Sequence, residues 1–354
     1  MTSSTARARV RMSALLALSV VLAAAWAAAL PAPAAARATP TVFPVCIEMG
    51  GQAGPDIAAN MVVWTDNRNG SLDIYGRNLD STRDFAVCTN KAQQDNPSLA
   101  DTMVGNRTQY VAVWVDKRNH EGGDIYGRNI TTKHDFVVVR SGTLKWFPEI
   151  VDHWVVWIEA ADSAGPYTIK ARDLAAAKTY KISTSTVLSS FAVSRRAVGA
   201  KTVHTAVYVS SEGDISGRDL PAGAPFSVSQ TSAFEWSPDI SADRVVWWEA
   251  GGRVMLKNLK TGKRTYVAQG SRPRIDGELV TWDGGGKGGS FAIDYKAGAA
   301  IYVRNIARNN STIEIAQKDL TCLFPAISGH TVVWESGPAQ RVLSHIHIYG
   351  ARVK

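Results

Sequence analysis

The 354-residue chain is poor in the groups that build catalytic centres and covalent frameworks. It has three cysteines, Cys46, Cys88 and Cys322. Cys46 and Cys88 fall at the same place in neighbouring repeats, on separate outer strands, which sets them too far apart for a bridge. Cys46 with Cys322 is the pairing that remains sensible, and an odd count leaves at least one thiol over. The fold is not disulfide-built. There is no G-x-S-x-G elbow and no H-E-x-x-H helix. The seven histidines are scattered, except His345 and His347, which share one face of a strand. No run of Lys and Arg is interleaved with aromatics in the manner of single-strand nucleic-acid binders. No helical period persists over a useful length. After the first 38 residues no apolar run is long enough to span a bilayer.

Those first 38 residues read as a secretory signal. Arg7, Arg9 and Arg11 precede an apolar stretch from Leu15 to Leu30, and Ala34-Ala35-Ala36 and Ala36-Arg37-Ala38 offer small-residue cleavage sites. An uncleaved anchor is the alternative. The leader carries four arginines and no acid, so its removal takes the net charge from +8 to about +4. A mildly basic remainder gives no push toward nucleic acid.

What the chain has in quantity is repetition. Seven times an apolar pair runs into an aromatic residue, at Trp64, Trp114, Trp157, Tyr208, Trp247, Trp282 and Trp334, spaced 35 to 52 residues apart. An I-Y-G-R-N-like segment follows each. A repeat of this length marks a structural array. Each unit reads as four short strands. The first holds a Pro-x-Ile/Leu core, as in Pro55-Asp56-Ile57, Pro148-Glu149-Ile150, Pro238-Asp239-Ile240 and Pro273-Arg274-Ile275. The second is V-V-W, the third I-Y-G-R, and the fourth a short run such as Phe136-Val137-Val138-Val139. Asn69-Gly70 supplies the positive φ a tight hairpin needs. The fold class is all-β.

Register closes the array. The fourth strand begins 12 residues before the next unit's proline in several units, Phe85 to Pro97 among them. Phe43 precedes Pro55 by the same 12, so Phe43-Pro44-Val45-Cys46 is a fourth strand with no unit before it, while the chain ends after the third strand of unit seven. The orphan fits the vacancy, giving a seven-bladed β-propeller over residues 39–354 closed by its N-terminal strand. Unit four lacks the Pro and the Trp, which leaves six blades as the alternative.

These motifs resemble TolB-like β-propeller repeats, most closely in Pro97–Ile130, with V-W-V-D-K-R-N-H-E-G-G-D-I-Y-G-R-N-I, and least in units four and six. The resemblance covers nearly all of the chain after the leader. It implies a propeller in an envelope or extracellular setting and carries no single activity, since such relatives include protein-binding components, sugar-acid lyases and the propeller halves of peptidases.

Three sets of residues are candidates for function. The third-strand basic residues Arg77, Arg128, Arg172, Arg218, Lys257 and Arg304 are spread round the ring and read as framework. The acids after the second-strand aromatic, Asp66, Asp116, Glu159, Glu249, Asp283 and Glu335, should crown one end of the central channel. They would hold a cation or cationic peptide, Ca²⁺ included, or else pair inside their hairpins, as Arg68 and Arg118 invite. Asp66, Asn69 and Asp73 are a Ca²⁺ candidate within one loop, without the spacing of an EF-hand. The loops leading into the blades depart most from the repeat. Where unit two has Gln93-Gln94-Asp95-Asn96, units three, five and seven have Trp146-Phe147, Phe234 with Trp236, and Phe324. Large apolar rings on one rim mark a partner or sugar-binding surface, or else pack between blades.

The sequence thus points to an exported, monomeric, non-catalytic binding module for a protein segment or an envelope glycan. The alternative is a lyase or hydrolase working at the channel mouth with a divalent metal and His345 and His347. The glycine-rich insertion Gly284–Ser290, running to Lys296, is a longer loop or a flap over the rim. It lacks the G-K-[ST] ending of a phosphate loop.

Overall fold

The computed structural model describes residues 40–284, 299–308, 312–315, 320–338 and 345–353. The unit from Pro40 onward consists of seven four-stranded antiparallel sheets. Six of them are built from four consecutive strands, and the seventh has the order Val42–Cys46, His347–Arg352, Thr331–Gly337, Thr321–Ser328. The N-terminal strand therefore completes blade 7, with Val42 opposite Ala351 and Phe43 opposite Gly350. The seven-bladed propeller expected from the register is the fold. Unit four is a full blade, Phe191–Ser229, with Tyr208 where the others have Trp.

Each second-strand aromatic is the centre of one seam between blades. Trp114 packs on Val63, Ile74 and Val87 of blade 1, Trp157 on Val113, Ile125 and Val138 of blade 2, and Trp64 on Val45, Val333 and Ile348 of blade 7. Tyr208, Trp247, Trp282 and Trp334 repeat the arrangement in the other four seams. All seven rings are at most 4% exposed. A sheet edge-on to an axis has two faces to bury, and an aromatic of 150–250 Å² (roughly) in every seam buries them.

Backbone bonds tie the same seams at one end. The amide of Gln52 donates to Ile346 O at 2.8 Å, Gln94 to Leu72 O at 2.7 Å, Lys145 to Gly122 O at 3.1 Å and Glu235 to Gly213 O at 3.0 Å. In each case the start of a blade meets the loop between the second and third strands of the blade before it. Both kinds of loop therefore lie on one face. Four of the six basic third-strand residues reach back across the seams as well, while Arg77 and Arg172 bond Asp84 and Thr179 of their own blades. Arg128 donates to Val87 O at 2.7 Å, Arg218 to Ile182 O at 2.8 Å, Lys257 to Val228 O at 2.6 Å and Arg304 to Val267 O at 2.5 Å.

The three thiols are free, which overturns the Cys46–Cys322 pairing. Cys46 lies on the outer strand of blade 7, where Arg68 donates to its Sγ at 3.1 Å, while Cys322 is on the innermost strand of that blade, with Ser336 Oγ at 3.6 Å. Two strands lie between theirs, which sets the two about 14 Å apart at sheet spacing, beyond the reach of a disulfide. Burial pushes the Cys46 thiol up to about 12, so it is an inert packing group.

Candidate channel-mouth site

In six blades the residue before the conserved proline has a left-handed backbone: Gly54, Asn96, Phe147, Ser237, Arg272 and Phe324, with φ between 47° and 58°. Each sits where the pairing of first and second strands slips, as between Trp146 and Glu149 or between Leu323 and Ala326. This is a β-bulge, and a bulge re-aims side chains. All six residues line a cavity of about 960 Å³ at the centre of the ring. Blade 4, without the proline, pairs Phe191–Val198 with Lys201–Val209 without a slip. A non-glycine residue in this region costs about 1–2 kcal/mol, and five blades carry that cost at the channel mouth.

The bulge sorts the aromatic candidates. Phe147, Trp236 and Phe324 line the cavity, and Phe147 is 46% exposed. Trp146 and Phe234 stand behind them. Trp146 packs edge-on against Tyr167 with centroids 5.8 Å apart, and Phe234 stacks on Trp236 at 5.9 Å. Arg272 lies over Phe324 with its guanidinium carbon 4.6 Å from the ring centroid.

Strand parity sorts the acids. Asp66, Asp116, Glu159 and Glu249 follow their tryptophan by two residues and so share its face, inside the seam. Trp64, Trp114 and Trp157 donate their indole N–H to Asp66, Asp116 and Glu159 at 2.8, 3.1 and 3.0 Å. Arg68, Arg118 and Lys170 close on the same three carboxylates at 2.6, 2.6 and 2.9 Å. Glu249 is held by Arg253 and Arg264, and the buried Trp247 Nε1 beside it has no acceptor among the described residues. Asp283 and Glu335 follow their tryptophan by one residue and face the next blade. Asp283 accepts from Phe324 N at 3.2 Å and from Arg272 Nε at 2.7 Å, and Glu335 accepts from Gly54 N at 2.7 Å. Only these two of the six line the cavity.

Deeper in the channel stand side chains that sequence reasoning did not single out. They occupy the position after each proline: Asp56, Ser98, Glu149, Asp239, Arg274 and Ala326. The carboxylates double as ties between blades. Asp56 accepts from Leu99 N at 2.8 Å, Glu149 from Val193 N at 3.1 Å and Asp239 from Ile275 N at 2.8 Å. Ser98 Oγ accepts from Ile150 N at 3.3 Å. Asp56, Glu149, Asp239 and Arg274 are partly exposed to the channel, with protein walls around them. Burial raises Glu149 to about 8, with Arg274 opposing the rise and Asp239 and Asp56 adding to it. Burial likewise raises Asp56 and Asp239. Burial works against the Arg274 charge, and Asp239, Glu149, Asp56 and Asp283 outweigh it. The Pro-x-Ile pattern held this signal: x alternates away from the buried Ile and carries ionisable groups in four blades.

The remaining candidates do not converge. His347 Nδ1 is 2.9 Å from Gln52 Oε1, and neither His345 nor His347 lines the cavity. Asn69 binds Asp73 at 2.9 Å, while Asp66 is engaged with Trp64 and Arg68. Among the described residues no group of three His, Cys, Asp or Glu side chains is placed to hold a metal ion. The insertion of blade 6 lies outside the described residues from 285 to 298.

Among solved structures the chain is similar to the β-propeller domain of the Trilobed protease from Pyrococcus furiosus, with TM-score 0.58 and 10% identity over 87% of this chain and 94% of that one. It is similar to oligogalacturonate lyase from Vibrio parahaemolyticus, with TM-score 0.58 and 11% identity over 89% and 97%. A chain of the mitotic checkpoint complex gives TM-score 0.56 and 14% identity over 91% and 94%. Identities this low show the fold alone, and the fold serves enzymes and binding proteins alike. No family model matches the chain, and no curated protein matches it.

Proposed function

We propose that the protein is an exported binding propeller whose ligand, a protein segment or an envelope glycan, docks on the mouth of the central channel. The carrying observation is the presentation of Phe147, Trp236 and Phe324 over a cavity of about 960 Å³. Phe147 and Phe324 are held there by left-handed bulges that bulky residues adopt at a cost. A cavity of this size, partly aromatic and with a few convergent polar groups, suits a ligand rather than packing. The repeat motif supports kinship with TolB-like propellers, and the leader supports export.

Lyase chemistry has less to stand on. Oligogalacturonate lyase acts on an acidic sugar, and a cavity lined, among the described residues, by seven carboxyl groups and two guanidiniums would repel such a substrate.

The test is capture from host envelope extract by the parent protein and by a Phe147→Asn, Trp236→Ala variant. Asparagine already occupies this bulge in blade 2, as Asn96, so the backbone tolerates it. Capture by the parent and loss by the folded variant are expected. Equal capture by both would remove the mouth from the binding surface. N-terminal sequencing of the exported protein checks the leader, with a start near residue 39 expected.

A further inference from the structure

The proposed docking at the mouth does not say what enters the channel beneath it, and the inference that follows rests on that docking. Among the described residues the wall of the cavity holds seven carboxyl groups against two guanidiniums, on a chain whose net charge is +8, or about +4 without the leader. An acidic hollow in a basic protein runs against the overall charge. Arg272 is already neutralised by Asp283 at 2.7 Å. What remains deep in the channel is Asp56, Glu149 and Asp239, drawn from alternate blades, facing the single cation Arg274. Each of the three spends carboxylate oxygens on a backbone amide of the next blade, which fixes its position before any guest arrives.

We infer that the channel takes a lysine or arginine side chain of a peptide segment: apolar residues of the segment rest on Phe147, Trp236 and Phe324, and the basic side chain between them reaches down to Asp56, Glu149 and Asp239. Charge complementarity selects this occupant. An acidic segment or uronate would meet a wall of its own sign, and a neutral glycan would gain nothing from the carboxylates. Pre-placed carboxylates favour a cation without reorganisation, as they already do for Arg274. The volume is adequate, since pockets of roughly 300–1,000 Å³ bury drug-sized ligands.

The inference has a proton signature. Glu149 is faced by Arg274, Asp239 and Asp56 and by the Val193 amide. Its carboxyl, raised to about 8, holds its proton at neutral pH. A cationic guest favours the ionised form, so binding releases that proton and affinity increases as pH rises through about 8.

The experiment is calorimetric titration of the purified protein with a capped Gly-Ser-Phe-Lys-Phe-Ser-Gly peptide and with forms carrying norleucine or glutamate in place of lysine. The lysine form is expected to bind about tenfold more tightly than the norleucine form, and the glutamate form most weakly. Glu149→Gln should abolish the gain in affinity with pH. Ala326→Lys, which adds a tethered cation from the blade 7 position of the same ring, should collapse the lysine preference in a protein whose melting confirms its fold. Equal binding of the lysine and norleucine peptides, both weakened by Phe147→Asn, would overturn the cationic occupant and leave the mouth as a docking surface. A preference for the glutamate form, or no binding of any form, would overturn the inference, and extract capture would then judge the mouth by itself.

Discussion

The seams between blades and the wall of the channel are built by opposite rules. Every seam has the same parts: an aromatic ring from the second strand, branched residues of the preceding blade around it, and a basic or acidic side chain tying one blade to the next. The channel mouth shares a backbone device, the bulge before proline, and varies everything mounted on it: Gly54, Asn96, Phe147, Ser237, Arg272 and Phe324. Repetition marks what holds the ring together, because every seam solves the same packing problem. Variation on a repeated, strained backbone marks what the ring presents.

That contrast can be broken by mutation. The largest effect is expected from Trp157→Ala, which empties the seam between blades 2 and 3 and should cost about 3–5 kcal/mol in denaturant unfolding. The indole also satisfies Glu159, so the loss leaves a buried acceptor short of one donor. A cost under about 1 kcal/mol would mean the seams do not carry the stability assigned to them.

A smaller effect is expected at Glu149, where wall and seam meet. The folded carboxyl holds its proton to about 8, whereas an unfolded one releases it near the ordinary value of 4.5. The folded state therefore binds more protons across that interval, and its stability falls as pH rises from 4.5 to about 8. Glu149→Gln keeps an acceptor for Val193 N and removes the titration. Its melting temperature should exceed the parent's near neutral pH and fall less with rising pH. An unchanged pH profile would contradict the burial assigned to this group.

The smallest stability effect is expected from Phe147→Asn. It trades an exposed ring for a residue that tolerates the left-handed backbone, and unfolding should shift by less than about 1 kcal/mol.

The scaffold was legible in the sequence and the site only in part, for a physical reason. Trp64 and its six counterparts, the Pro-x-Ile cores and the orphan strand at Phe43 are periodic, and periodicity survives translation into strands. Asp66 and Asp283 look alike as acids after a tryptophan, yet spacing by two or by one sends them to opposite faces of the blade. The bulge that turns Phe147 and Phe324 into the channel is marked in the sequence only by the proline that follows it, and the direction it gives the preceding side chain is not. Trp146 and Phe234, equally aromatic and one or two positions away, stand behind the rim. The charged ring of Asp56, Glu149, Asp239 and Arg274 was visible in the Pro-x-Ile pattern only to a reading that asked where x points.

The central claim is that seams hold the ring and the mouth binds. Its most direct test measures extract capture and thermal unfolding on the same preparations of parent, Trp157→Ala and a Phe147→Asn, Phe324→Asn double variant. The expected result is a crossed pattern: the double variant melts with the parent and captures nothing, while Trp157→Ala melts far lower and, below its transition, captures what the parent does. A double variant that captures as well as the parent would contradict the claim.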